Sequence, residues 1–260
     1  MKPVAGLAMY ARPELTDEFS LFWRAIRERL IRDGIGAPEV LTQDGYGSAF
    51  WRAPNLVLGQ TCGYPYRTEL KDAVSFVGTP DYGLEGCPPG YYRSVIVARE
   101  ASPLRSRDDL DGVDLAYNDD QSQSGFHGPL AWARQLGLKL NPTLATGAHR
   151  QSAQAVAEGR AEIAAIDAVT WRFMERHDAQ PNALRVIAQT PPVPGLPLIC
   201  AKGVDPLRVA RAVSGAIEAI GPDIRTALSI TGLSPLCAED YTASAFDPIV
   251  KSAPSRVWSG

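Results

Sequence analysis

A chain of 260 residues, 45% hydrophobic and 21% charged, carries enough apolar side chains for a full core, which excludes disorder as its main state. Its formal net charge is −3 and it has no dense Lys/Arg run, so nucleic acid is not an expected partner. No apolar run reaches the ~20 residues that a membrane-spanning helix needs.

Residues 4–10 read as a buried strand. Thr16 then has the character of a helix cap; Asp17 and Glu18 suit a first turn, and Arg27, Arg29 and Arg32 suit a last one. Leu15, Phe19, Phe22, Trp23, Ile26 and Leu30 recur at helical spacing, and Gly34 stops the helix. Strands are expected at residues 39–42, 55–60 and 73–77, separated by short polar or helical pieces. That alternation favours a parallel sheet covered by helices.

A longer β-rich run covers residues 91–99, followed by a short helix at 106–110 and a strand at 113–118. A helix is expected from Ser124 to near Gly137, a strand at 142–146 and a helix at 149–158. A strand at 162–167, a helix to about His177 and a strand at 184–189 complete a second βαβ series. The proline-rich stretch TPPVPGLPLICAK, residues 190–202, reads as a crossover followed by an edge-like strand. Asp205 caps the next helix with Pro206 in its first position, and Leu207, Ala210, Val213, Ile217 and Ile220 are its expected apolar face. Helices at 222–230 and near 242–252 end the chain.

This order predicts two α/β lobes, each a mixed, mainly parallel sheet flanked by helices, joined by two crossings near residues 90–94 and 190–195. Lobe one comprises residues 1–92 and 195–260, and lobe two residues 93–194. Two lobes on two connecting strands form a hinged cleft suited to clamping a small ligand.

Three strand-to-helix junctions of lobe two carry the candidate site. In the loop from Asn118 to Phe126, Ser122, Gln123 and Ser124 precede a helix start, where free N–H groups attract an anion and Gly125 permits close approach. A solvated turn capped by Ser124 accounts for the same residues. At the second junction, Gly147 to Ser152, His149 can donate to an anion with Arg150 adding charge, or can be a surface histidine at a cap. At the third, Asp167 ends an apolar strand, placed to bind a donor on the ligand, to hold His149, or to cap the following helix. In lobe one, Tyr10 and Tyr64 stand at strand ends and can face the cleft. Ser122 or Ser124 with His149 and Asp167 also have the residue types of a hydrolytic triad, although no G-x-S-x-G, G-x-G-x-x-G or P-loop pattern is present.

Taken in order, YYRSVIVAREASPLRSRDDLDG (91–112), the Ser122–Phe126 loop, GAHRQSAQAVAEGRAEIAAID (147–167) and TPPVPGLPLICAKG (190–203) resemble one family. It is the phosphate/phosphite/phosphonate type of solute-binding protein serving ABC transporters, with the type II periplasmic-binding fold. The likeness runs from about residue 50 to 235. It implies an oxyanion held by Ser122, Gln123, Ser124 and His149, with Tyr10 and Tyr64 closing from the other lobe and Asp167 contacting a ligand amine or staying structural. It implies a monomer that binds without catalysis, cofactor or metal and hands its ligand to a permease. Gln123 and the segment QTCGYPY depart from the family pattern.

Residues 4–10 lack a cleavage signature and run into charged residues, so they do not read as a secretory leader. The location expected is therefore periplasmic if a leader has been removed and cytoplasmic if Met1 is the native start. A cytosolic ligand sensor and an enzyme on the same fold are the alternative functions. Four cysteines without C-x-x-C and three scattered histidines give no zinc pattern. A Cys62–Cys87 disulfide would join the end of the third strand to the approach to the hinge and indicate an oxidising compartment.

Overall fold

The computed structural model describes residues 1–234 and 236–242. In chain order the strands are β1 (Val4–Gly6), β2 (Leu56–Gln60), β3 (Val74–Asp81), β4 (Tyr91–Tyr92), β5 (Ser94–Arg99), β6 (Asp114–Tyr117), β7 (Asn141–Ala145), β8 (Ile163–Asp167), β9 (Leu184–Gln189), β10 (Val193–Pro194), β11 (Leu198–Ala201) and β12 (Gly232–Ser234). The helices are α1 (Thr16–Arg32), α2 (Ser48–Trp51), α3 (Gly63–Pro65), α4 (Gly128–Gln135), α5 (His149–Ala157), α6 (Ala168–His177), α7 (Pro206–Ala219) and α8 (Pro222–Ala227).

The strands form two five-stranded sheets, ordered β1-β2-β11-β3-β12 and β7-β6-β8-β5-β9. Between them β4 and β10 pair antiparallel, Tyr91 opposite Pro194, where the chain crosses from one sheet to the other and back. At this crossing Gly195 N–H donates to Gly90 O at 2.8 Å, and a Cβ on Gly195 would lie 2.7 Å from that oxygen. Glycine is required there because two backbones touch.

The first sheet is covered by α1 and α7. Phe22, Trp23, Ile26 and Leu30 of α1 pack with Val209, Ala212, Val213, Ala216 and Ile217 of α7 and with Ala5 and Leu58 of the sheet. Ile26 and Leu30 are fully buried, each contributing about 1.5–3 kcal/mol by leaving water. The helical spacing read in α1 is thus the face turned inward. The second sheet has apolar side chains on both faces. Val95, Val97 and Ala164 lie in one cluster with Val156 and Met174, while Ile96, Ala165 and Leu115 lie in another with Trp132. Burial on both faces explains why β8 reads as a continuous apolar run rather than an alternating one.

Several local expectations change. The sheets are mixed: within them, parallel pairing is confined to β1–β2 and to β7–β6–β8, while β5 and β11 run antiparallel to both their neighbours. Both reversed strands directly follow the crossings, so the chain enters each sheet from the hinge end. β11 is therefore interior, not an edge strand; the prolines precede it. Residues 39–42 form no strand, and the segment's only ladder-like bond is Thr42 N–H to Ala5 O. The first strand ends at Gly6 and Ala8–Tyr10 turns into a 3-10 helix. Leu207 is 70% exposed and lies outside the buried face of α7. The helix expected near 242–252 lies outside the described residues apart from Thr242, which is not helical.

Candidate functional site

A cavity of about 350 Å³ lies between the two lobes. Three loops following β6, β7 and β8 deliver Ser122 and Ser124, His149, and Asp167 to it from one side. From the other side come Tyr10, Tyr46 and Cys62. Ligand sites at the carboxyl ends of strands follow from loops fanning out there.

The anion-type loop is built locally. Ser122, in extended conformation, caps the turn Gln123–His127 by accepting from Gly125 N–H at 3.0 Å, so Ser122 rather than Ser124 is the cap. The Ser124 hydroxyl is left for the cavity and lies 3.0 Å from His149 Nε2. The Ser124 carbonyl is anchored by the Ser94 hydroxyl at 2.8 Å. A Cβ on Gly125 would overlap Asn118 Oδ1, so any larger residue there has to displace the Asn118 side chain. That Asn118 oxygen is buried with no partner among the described residues, and Asn118 lines the cavity. Asn118 was legible only as the first residue of the loop; its unsatisfied oxygen appears once the loop folds over it.

Asp167 caps α6, accepting from Val169 N–H at 2.7 Å and Thr170 N–H at 3.1 Å through Oδ1. Its Oδ2 accepts from the Tyr10 hydroxyl at 2.9 Å. Burial pushes the Asp167 carboxyl up to about 6, opposed by those three hydrogen bonds. Burial also raises the Tyr10 phenol well above its ordinary range, with the Asp167 charge adding to it. Tyr10 therefore stays a proton donor. Burial pushes His149 down to about 4, with a weaker opposing pull from the Ala165 carbonyl. His149 as a residue is only half-buried, since one edge faces the cavity, but its Nδ1 is shut off from solvent. The imidazole is thus neutral at physiological pH.

The hydrolytic triad does not assemble. Ser124 and His149 are paired, but the Asp167 oxygens are engaged by Tyr10 and the α6 amides rather than by the imidazole. The capping reading of Asp167 holds; the reading in which it orients His149 does not.

Two other candidates sit away from the cavity lining. Tyr64 stacks on His127 at 3.5 Å with rings 8° from parallel, and the Arg67 guanidinium lies 4.8 Å from its ring. Gln123 is buried, its side chain turned toward Gly128 and its N–H donating to Cys62 Sγ at 3.3 Å. Two further aromatic rings line the cavity beside Tyr10: Phe173, buried edge-on against it, and Tyr46, half-exposed and packed edge-on against Trp51. The sequence held no signal for Tyr46, since residues 43–47 lie in irregular chain.

At the mouth, Arg12 and Arg150 reach from opposite lobes to Asp178 Oδ1, at 2.6 and 3.0 Å. Their charges are already partnered. The expected Cys62–Cys87 disulfide is absent: both thiols are free, Cys62 turned to the Gln123 amide and Cys87 Sγ accepting from Arg93 Nε at 3.2 Å. The two sulfurs serve different neighbours.

Two mixed sheets joined by a double crossing, with a ligand-sized cavity between them, define a two-lobe solute-binding protein of the type II periplasmic-binding fold. Solved structures share it. PhnD1 from Prochlorococcus marinus, in complex with methylphosphonate, superposes with a TM-score of 0.69 at 13% identity, over 92% of this chain and 94% of that one. XAC2383 from Xanthomonas citri, bound to ATP, gives 0.65 at 18% identity over 88% and 94%. The phosphonate-transporter binding component PA3383 from Pseudomonas aeruginosa gives 0.64 at 16% over 90% and 82%. No curated protein matches at the sequence level. The family model of the periplasmic substrate-binding proteins of ABC phosphonate transporters matches residues 62–241, more than two thirds of the chain. The chain belongs to that family of binding proteins, which are not enzymes. Among the described residues no helix is long and apolar enough to cross a membrane.

Proposed function

We propose that the chain captures a phosphonate- or phosphite-like oxyanion in this cavity and delivers it, from the periplasm, to an ABC permease. The observation that carries this reading is the end wall of the cavity, where the Ser122–Gly125 turn, the Ser124 hydroxyl and neutral His149 converge. Fixed neutral dipoles stabilise an anion without the grip of a full counter-charge, which permits release. Among the described residues no lysine lines the cavity, and Arg12 and Arg150 are held by Asp178. Methylphosphonate and ATP, the ligands of two relatives, share a phosphorus oxyanion.

Asp167 and Tyr10 form the wall contributed by both lobes, and the carboxylate there is the acceptor for an amine on the ligand. In this reading residues 1–92 with the described residues from 195 onward form one body and residues 93–194 the other, the two move about β4 and β10, and the protein works as a monomer. The Tyr10–Asp167 and Arg12–Asp178 bonds, which span the lobes, belong to the closed state.

A thermal-shift series with phosphate, phosphite, methylphosphonate, aminoethylphosphonate, sulfate and small carboxylates tests it. A dose-dependent rise in Tm with a phosphorus oxyanion is expected, because a ligand binding only the folded state stabilises by RT ln(1 + [L]/Kd). A rise with carboxylates alone, malate being the ligand of another protein of this fold, would refute the assigned chemistry while leaving the clamp intact.

A further inference from the structure

A second cavity of about 340 Å³ opens on the seam between the lobes and shares no lining residue with the first. Three arginines line it: Arg172 and Arg176 from α6 and Arg225 from α8. No carboxylate lines it, and none of the three forms an ion pair among the described residues. The Glu175 charge acts on Arg172 from outside the lining, opposing the lowering of its pKa by burial and Arg176. Asp81 takes the amides of Gly83 and Gly90 and the Thr231 hydroxyl, and Glu175 and Asp223 are exposed outside the lining.

The arginines of α6 are positioned by the other lobe. Arg172 donates through Nη1 to Tyr82 O at 2.7 Å and through Nη2 to Gly83 O at 3.1 Å. Arg176 Nη1 donates to Thr226 O and to Ser229 Oγ, each at 3.0 Å. Ser229 is the only non-glycine at positive φ, 52°, among the described residues. It occupies the left-handed position that ends α8, where glycine is the usual residue. The serine hydroxyl is what glycine would lack, and it is spent on holding Arg176. Carbonyls and a hydroxyl orient these guanidiniums without neutralising them. Burial, and then the Arg176 charge, lower Arg172 from its ordinary value, as expected of like charges held together.

We propose that this seam cavity is a second anion site, taking a small multivalent oxyanion such as inorganic phosphate or pyrophosphate, and that its occupant holds the two lobes shut. Oriented guanidiniums suit phosphate oxygens, which accept their parallel N–H groups. Because Arg172 and Arg176 belong to one lobe and Arg225 to the other, the site is complete only when the lobes are closed. An anion there raises affinity in the ligand cavity, and by linkage the cavity ligand raises anion affinity by the same factor.

The test is calorimetric titration of inorganic phosphate and of pyrophosphate into the wild type, Arg225→Gln and the double variant Ser122→Ala/Ser124→Ala at low ionic strength. Among the described residues the Arg225 side chain makes no hydrogen bond or ion pair, its backbone bonds to Gly221 and Ile230 being untouched by substitution, and circular dichroism checks that the variant is intact. Pyrophosphate binding is expected to survive in the serine double variant and to weaken at least tenfold in Arg225→Gln. Saturating pyrophosphate is expected to tighten wild-type binding of methylphosphonate about fivefold, and Arg225→Gln to abolish that gain. Pyrophosphate binding that is unchanged in Arg225→Gln, lost in the serine variant, or undetectable in the wild type would overturn the proposal. Failure of every phosphorus oxyanion in the ligand cavity, with pyrophosphate binding still lost in Arg225→Gln, would refute the proposed ligand alone.

Discussion

Replacing Asp167 by Asn, and separately His149 by Gln, separates two titrations that oppose each other across one cavity. Asp167 is pushed from 3.8 to about 6, so the folded protein holds its proton more tightly than the unfolded chain does. Its contribution to stability is fully present below pH 3.8 and is lost as pH rises through 6. The gap between 3.8 and about 6 corresponds to about 3 kcal/mol, undiminished by solvent because Asp167 is 3% exposed. His149 is pushed from 6.5 to about 4, the opposite sense. Its contribution is fully present above 6.5 and is lost as pH falls through 4, and it amounts to at most about 3 kcal/mol because one edge meets the cavity. In the wild type the two largely cancel between pH 4 and 6.5. Urea unfolding at half-unit pH steps, read as wild type minus variant, isolates each group from the exposed carboxylates common to all three proteins. The Asp167→Asn difference is expected to fall by about 2 kcal/mol from pH 4 to 6.5, and the His149→Gln difference to rise over the same range. Asparagine and glutamine shift these curves vertically without tilting them. Flat curves, or two curves of the same sign, would refute the assignment of burial as the dominant cause.

Ser124→Ala removes a hydroxyl facing the proposed anion and is expected to weaken oxyanion binding at least ~10-fold, read by calorimetry, since hydrogen bonds to charged groups are worth about 1.5–3 kcal/mol. Unchanged affinity would take the loop out of the site. Gly125→Ala forces a Cβ into Asn118 Oδ1 and is expected to lower stability by about 1–3 kcal/mol and to abolish binding; a urea midpoint equal to wild type would contradict the contact. Asp167→Asn should reduce preference for aminoethylphosphonate over methylphosphonate, and the wild-type preference should grow as pH rises through about 6 while the amine stays charged. Equal affinities for both ligands in the two proteins would make Asp167 structural.

The order of strands and helices was written locally and survives in the structure. Asp205-Pro206 starts α7, the apolar run ending in Asp167 is β8, and the helical spacing through Leu30 is α1. Each of these depends on residues a few positions apart, so a linear pattern carries it. The strand-to-helix junctions that bear Ser122, Ser124, His149 and Asp167 are local in the same way, and strand direction brings all of them to one end of a sheet. Long-range pairing decided the rest. It placed β11 inside a sheet, left residues 39–42 without a partner strand, and chose Tyr46 over Tyr64 for the cavity. It also gave the Asp167 carboxylate to Tyr10, 157 positions away, instead of to His149. Such partners are set by how one lobe closes on the other, which no short spacing along the chain encodes.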